Sequence, residues 1–315
     1  MLTGQDSNAT TLSTQEVREL SGLSAWQTVR ALAFDWTLIV AAFALAIVFP
    51  HPLVWVFSLL LVARQQLALA IMMHDAAHKR LFASVKSNDN VGQFLCAAPL
   101  LFSMYSYRTL HLRHHKEPLT PEDPDLSLIG GYPINKKSFI RKLLRDATGV
   151  SYFKFIRYFI HMAGKQKSKA TGSDPGAKRS ADRPPTAKIV FSIVLMNGLM
   201  LTALTLLDHP WLYLTLWLLP AVTALQVLLR IRGIAEHAGY EATKNQMLCS
   251  RTVTPSWQTV VFAPHSVNYH IEHHIYPSIP HYNLTRAHKM MRERAILPEE
   301  NIYSGYDKVL QDLVI

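Results

Sequence analysis

Val267–Pro280 reads VNYHIEHHIYPSIP and carries His270, His273 and His274. On a helix the offsets 0, +3 and +4 bring three imidazoles to one face. Three neutral imidazoles in a row are half of a metal site. The same spacing recurs upstream in HLRHH, with His111, His114 and His115, and in shorter form in HDAAH, with His74 and His78 one helical turn apart. Eight box histidines exceed what one tetrahedral zinc takes and suit two metals with several imidazoles each. Imidazole serves iron, copper and zinc alike, so the residues alone do not name the metal.

Outward from the boxes the chain is apolar. Leu32–Phe49 and Leu53–Met73 read as two spans joined by Pro50-His51-Pro52, and Ile189–Leu207 and Trp211–Ile231 as two more joined by Asp208-His209-Pro210. Each approaches the roughly 20 residues a bilayer crossing needs. Ala25–Leu32 reads as a short interfacial helix anchored by Trp26. Val91–Tyr107 is shorter and interrupted by Pro99. As a full span it would put the second box across the membrane from the first, so it reads as re-entrant or interfacial. Asn135–Met162 has the pattern of a basic amphipathic helix, or two, on the membrane surface or on a cap. Lys165–Pro185 reads as a flexible loop.

Almost half of the 315 residues are hydrophobic, and the formal charge is +10. A basic chain could serve nucleic acid, but with spans present a face against anionic lipid fits better, and no nucleic-acid partner is expected. The outer turns hold no Lys or Arg, whereas the box-bearing segments hold Arg113, Lys116, Lys136, Lys137, Arg141, Lys142, Lys178 and Arg179. By the positive-inside bias all boxes and both termini face the cytoplasm. The expected fold is therefore an all-α integral membrane protein. It has four transmembrane helices in two hairpins, a re-entrant or interfacial segment, and a cytoplasmic helical cap holding the boxes. As one domain, 1–315 divides into an arm (1–31), a first hairpin (32–73), a box-bearing section (74–188), a second hairpin (189–231) and the third-box cap (232–315). Cys96 and Cys249 form no CxxC and read as packing residues. No cleaved leader is expected, because a basic region followed by an apolar core is missing from the polar start.

The three boxes, in this order among apolar stretches over about Leu32–Leu297, resemble the membrane fatty acid desaturases and their hydroxylase relatives. RGIAEH (Arg232–His237) and NYHIEHHIYPSIPHYNL are most similar to the bacterial branch with rhizobitoxine-type desaturases. The resemblance implies two non-haem iron ions held by His74, His78, His111, His114, His115, His270, His273 and His274, with His237 as a ninth ligand. It implies oxygen-dependent desaturation of a fatty acyl chain, as acyl lipid or thioester, in a membrane that is expected to be the bacterial inner membrane. Molecular oxygen and an external electron donor, ferredoxin-type or haem-type, are the implied partners, since neither end carries a recognisable haem-binding module. Some relatives place an Asn four residues before the lone histidine; here that position is Gly233, with Asn268 as a candidate substitute.

Asp75, Asp123, Asp125 and Glu236 are candidates to accept the second N–H of ligating imidazoles. His281 and His288 read as surface or packing residues, and His51, His161 and His209 as remote from metal. Asp35 and Arg64 lie inside the first hairpin within about 3 Å of the same depth, and an ion pair or water-bridged pair between them, assisted by Gln65 or Gln66, is expected; the alternative has Arg64 facing the bundle interior to hold a substrate or backbone carbonyl while Asp35 snorkels to the cytoplasmic interface. A hydroxylase or ketolase of an apolar substrate is the nearest alternative. A histidine-rich transporter would need ionisable residues along several spans, and clustering at span ends speaks against it.

Overall fold

The computed structural model describes residues 11–154, 156–157, 186–243 and 245–315. The Lys165–Pro185 stretch and His161 lie outside the described residues. A capping box at Ser13 and Glu16 opens α1 (Thr14–Leu20). Ser24 caps α2 (Ala25–Val48), and Pro52 at the first turn opens α3 (Pro52–Ala77). The expected interfacial helix at Trp26 is thus no separate element: Ser24 supplies the cap, nothing at Leu32 breaks the run, and one helix covers both. α2 and α3 pack side by side, joined only through Phe49–His51.

Among the described residues four helical stretches are long and apolar enough to cross a bilayer: α2, α3, α8 (Thr186–Leu206) and Tyr213–His237. The segment between the first two boxes is not among them. After α4 (Val85–Val91) it winds as a π-helical turn (Gly92–Ala97) and a 3₁₀ turn (Ala98–Leu100), and Leu101 is left-handed. Such windings leave backbone carbonyls unpaired in an apolar setting, where each must find a donor. The neighbours supply them. Asn197 Nδ2 donates to the Ala98 carbonyl at 2.8 Å and Trp217 Nε1 to the Pro99 carbonyl at 2.9 Å. Gln93 Nε2 in turn donates to Ser192 Oγ at 2.9 Å.

Ser103 then caps α5 (Met104–Lys116). α6 (Leu126–Ile129) and α7 (Lys136–Ala147) follow. The last apolar stretch was expected as one span but is broken: a π-helical turn (Tyr213–Leu218) leads into α9 (Leu219–Val222), and Thr223 (φ −121°, ψ −87°) separates it from α10 (Ala224–His237). Pro220, which lacks an N–H, stands just before that break. α7 is fastened to α10 by a buried pair that the sequence did not announce. The Arg230 guanidinium straddles the Asp146 carboxylate, to which Ser151 also donates.

The remainder is a compact cap of α11 (Trp257–Phe262), α12 (His270–Ile275), α13 (His281–Glu293) and α14 (Tyr306–Leu313). It includes a two-residue parallel pair, β1 (Thr252–Val253) with β2 (Ile302–Tyr303), a small departure from an all-helical chain. One apolar cluster joins α2, α3, the wound segment and Trp217; a second joins α3 and α10 to α14. A third joins Leu12 and Leu20 to α12 and α13, so the N-terminal helix is docked on the cap.

Candidate metal centre

Four elements converge where α3 ends. His74 lies in the last turn of α3 and His78 caps it; His111, His114 and His115 end α5; His237 ends α10; His270, His273 and His274 make up half of α12. Their ring nitrogens fall into two groups, each with its atoms within 4.8 Å of one another: His74, His78, His111, His115 and His273, and His114, His237, His270 and His274. Adjacent residues diverge. On α5, His114 joins one group and His115 the other; on α12, His273 and His274 do the same. A helix turns about 100° per residue, so neighbours on one rim can face two centres.

Within the first group Nε2–Nε2 separations are 2.9 Å for His78–His111 and 3.0 Å for both His111–His115 and His115–His273. In the second they are 3.1 Å for His114–His237 and 2.8 Å for His237–His270. A metal about 2.0–2.1 Å from each imidazole nitrogen places neighbouring ligands about 3 Å apart. The opposite nitrogens are held from behind. His114 Nδ1 donates to Asp123 at 2.9 Å, His237 Nδ1 to the Cys249 carbonyl at 2.7 Å, and His274 Nδ1 to Gln246 Oε1 at 2.9 Å. His74 Nδ1 lies 3.2 Å from Asp75 Oδ1. Carboxylates and carbonyls only accept, so each neutral ring so held carries its proton on Nδ1 and aims the Nε2 lone pair inward. The Gln246 amide is oriented as well, because its Nε2 donates to the His115 carbonyl at 3.0 Å.

The electrostatics favour metal over protons. Burial, then the charge of neighbouring imidazoles, pushes the pKa values of His111, His115, His270, His273 and His274 down, and that of His78 down to about 3. His114 differs: burial disfavours its cation, but the Asp123 hydrogen bond and the Asp125 charge outweigh that, and its pKa is raised. Buried, neutral lone pairs facing one another repel unless a cation lies between them. His74 Nε2 and His274 Nε2 are buried without a hydrogen-bond partner, a costly state that coordination would relieve. The residues therefore fit two imidazole-bound metals.

The sequence profile described as Fatty acid desaturase matches residues 50–305, most of the chain and all nine histidines. The chain belongs to the fatty acid desaturase family. The dihydrorhizobitoxine desaturase of Bradyrhizobium elkanii is 28% identical over 247 residues, 75% of this chain and 68% of that protein. The chloroplastic omega-6 fatty acid desaturase of Glycine max is 27% identical over 296 residues, 89% of this chain and 65% of that protein. The sn-1 acyl-lipid omega-3 desaturase (ferredoxin) of a Nostoc strain is 24% identical over 230 residues, 70% of this chain and 62% of that protein. The chain thus spans about two thirds of the length of these relatives. Membership makes it an oxidoreductase enzyme, and its four long apolar helices fit an integral membrane desaturase.

The acids expected beside the desaturase histidines are differently employed. Asp123 is pinned by backbone donors from Leu119 (2.7 Å) and Asp125 (2.9 Å) while it holds His114. Asp125 is half-exposed and 3.8 Å from His114 Nδ1. Glu236 pairs with Arg232 at 2.5 Å and lies 3.6 Å from His270 Nδ1, too far for a hydrogen bond. Asn268 turns its amide nitrogen to the backbone: its Nδ2 donates to the Val253 carbonyl at 2.8 Å and fastens β1.

Two histidines set aside as surface or packing residues are buried or half-buried partners instead. His281 Nδ1 donates to Asp75 Oδ2 at 2.8 Å, and its backbone N–H reaches the same oxygen at 3.1 Å. That fixes the carboxylate that orients His74. His288 bonds the buried Glu272 of α12, whose other oxygen accepts from Thr252 Oγ1 at 2.6 Å. The expected Asp35–Arg64 pair does not form either. Asp35 Oδ2 pairs with His265 Nε2 at 2.7 Å and Oδ1 accepts from Gln65 at 3.1 Å, while Arg64 bonds Gln65 and the Val260 carbonyl. Gln65 thereby links the two charges without their touching. Gln246, Cys249 and His265 lay outside any repeat, and their one sequence signal was proximity to the third box.

Proposed function

We propose that the chain is an oxygen-dependent di-iron membrane desaturase that introduces a double bond into a fatty acyl chain, carried as acyl lipid or acyl thioester. The observation that carries this is the pairing of five and four inward-facing imidazoles at ligand spacing beside a bundle of apolar helices. His74, His78, His111, His115 and His273 would hold one iron, and His114, His237, His270 and His274 the other. Bound there, the irons would supply oxygen activation and removal of hydrogen from an unactivated methylene. The chain's own contribution is positioning. Asp75, Asp123, Gln246 and the Cys249 carbonyl fix the rings, and the apolar wall of Met72, Ala97 and Met104 keeps water from the acyl chain.

As a single domain, the four spans form two hairpins in the bacterial inner membrane. The cap and both termini face the cytoplasm, as the placement of Lys and Arg supports. Electrons come from a separate carrier, and the ferredoxin named with the Nostoc relative supports that type. The test is expression in a host lacking such an enzyme, with lipid profiling by mass and iron counting on purified protein. A product two hydrogens lighter, about two irons per chain, and loss of the product in His273→Ala are expected. Oxygenated product alone, or one zinc and no iron, would refute it.

A further inference from the structure

A cavity of about 640 Å³ opens beside α2 and is lined by Gln27, Arg30, Phe34 and Asp35 of α2, Arg64 of α3, and the His265–Ser266 turn, with His281 and Tyr282 behind. Its volume is that of a small-ligand site. Three features of its lining point to one kind of occupant.

First, its guanidiniums outnumber its carboxylate. Among the described residues Asp35 is the only carboxylate lining it, and both Asp35 oxygens are engaged, by His265 and Gln65. Arg64 is held by two neutral groups, the Val260 carbonyl and Gln65. Among the described residues neither Arg30 nor Arg64 makes an ion pair. Two guanidiniums beside one carboxylate that is already hydrogen-bonded leave a surplus of positive charge for an anion, and guanidinium matches phosphate and carboxylate in shape. Second, Gln27 Oε1 is buried with no hydrogen-bond partner. That oxygen is shut off from solvent, so it takes an O–H or N–H from an occupant when the Gln27 side chain turns into the cavity that it lines. Third, the surroundings are greasy. Phe34 on the lining, and Trp26 on α2 and Trp257 and Val260 on α11, are more than half exposed. Arg64 itself ties α11 to the cavity through Val260. A polar pocket among exposed apolar side chains suits a molecule with a charged head and a hydrocarbon tail.

We propose that this cavity binds the anionic head of an acyl amphiphile, with Arg30 and Arg64 on its phosphate or carboxylate and Gln27 accepting from its hydroxyl or ammonium. The assignment rests on the acyl-chain activity proposed above and adds where the head is held. The cavity wall is also tied to the first histidine group: His281 lines it, bonds Asp75, and Asp75 orients His74. An amphiphile gripped here has its head beside the catalytic cap and its tail among the spans.

The full-length protein in detergent would be titrated with dioctanoyl phosphatidylglycerol, dioctanoyl phosphatidylcholine and inorganic phosphate, with binding read by native mass spectrometry and tryptophan fluorescence. The anionic lipid should bind at least about tenfold tighter than either of the others. Arg64→Gln and Arg30→Gln should each erase most of that preference, Arg64→Lys should keep part of it, and Arg286→Gln on the exposed face of α13 should leave it intact. Should Arg64→Gln fail to fold, Arg30→Gln, exposed near the start of α2, carries the test. Equal binding of both lipids, or an undiminished preference in Arg30→Gln and Arg64→Gln, would overturn the assignment. Inorganic phosphate competing at the lipid's own concentration would overturn it in favour of a free-anion site. Binding is read without turnover. A chain that binds the lipid through these arginines yet makes no alkene therefore refutes the proposed activity, and one that desaturates without the preference refutes the head site.

Discussion

Gly92→Ala is the sharpest perturbation available near the histidines. An alanine Cβ at 92 would lie 2.4 Å from the Ala76 Cβ. Carbon atoms settle at about 3.5–4.0 Å, so the elements must separate by at least about 1.1 Å. Glycine to alanine in a helical backbone ordinarily gains roughly 0.4–1 kcal/mol. Here overpacking of about 1–3 kcal/mol reverses the sign. The strain cannot relax harmlessly, because Ala76 stands between His74 and His78 and the end of α3 is clamped. Asn88 and Arg108 both donate to the Ala76 carbonyl, at 2.9 and 2.8 Å, and Arg108 also to that of Ala77 at 2.9 Å. A shift of about 1 Å at a reacting centre can cost about 10²-fold in rate. Gly92→Ala should therefore lower the melting temperature, the iron content and, most of all, turnover. The second-site change Ala76→Gly removes the offending Cβ and leaves the Ala76 Cα at 3.8 Å, an ordinary contact. The double variant should recover turnover to within about tenfold and lie within roughly 0.6 kcal/mol of the starting stability, because the ~1 kcal/mol helix cost of glycine at 76 is largely offset by the gain from alanine at 92. Wild-type turnover and melting in Gly92→Ala, or no recovery with Ala76→Gly, would refute the reasoning.

Three further outcomes are expected. Asp146→Ala strands the buried Arg230 and should cost about 3–5 kcal/mol, whereas Asp146→Ala with Arg230→Leu should cost less; additive losses in that cycle, read by thermal unfolding in detergent, would show that the pair is uncoupled. His281→Ala should weaken iron retention about 10–100-fold through Asp75, with His281→Asn restoring part of it, while His51→Ala in the far turn leaves the metal count unchanged; equal iron in all three would remove His281 from the support of His74. The hydrogen bond from Arg294 lowers the Glu16 carboxyl to about 2. Because the folded value lies below the unfolded one, this contribution is complete above about pH 4.5 and is lost as pH falls through about 2. Proteolytic protection of α1 should therefore persist at pH 4 and be weaker in Glu16→Gln at neutral pH; protection lost already at pH 4 would contradict it.

What the sequence disclosed follows from the range of the interactions involved. Ligands three and four residues apart are encoded within one turn of helix, and HLRHH and HIEHH could be read directly. Long apolar runs likewise announced the four crossing-length stretches. Contacts that close across the chain left no local trace. His281 meets Asp75 206 positions away, and His265 meets Asp35 across 230. Spacing rules say nothing about such partners, so Asp35 was assigned to the nearest opposite charge at equal depth. Burial could not be foreseen either: His265 competes for that carboxylate only because the left-handed backbone at His265 and Ser266 folds the turn onto α2 and α3. The broken fourth stretch escaped notice because hydropathy counts apolar side chains and is blind to backbone winding.

The divergence of neighbouring histidines on α5 and α12 has a consequence for how the enzyme is assembled. Two helices serve both centres through adjacent residues, whereas α3 and its cap feed only the five-histidine group and α10 only the four-histidine group. The spacing of the two groups is then set by the pitch of α5 and α12, which carry adjacent histidines into both. Supply is nevertheless unequal: fraying the end of α3 strips one group to three imidazoles and leaves the other complete.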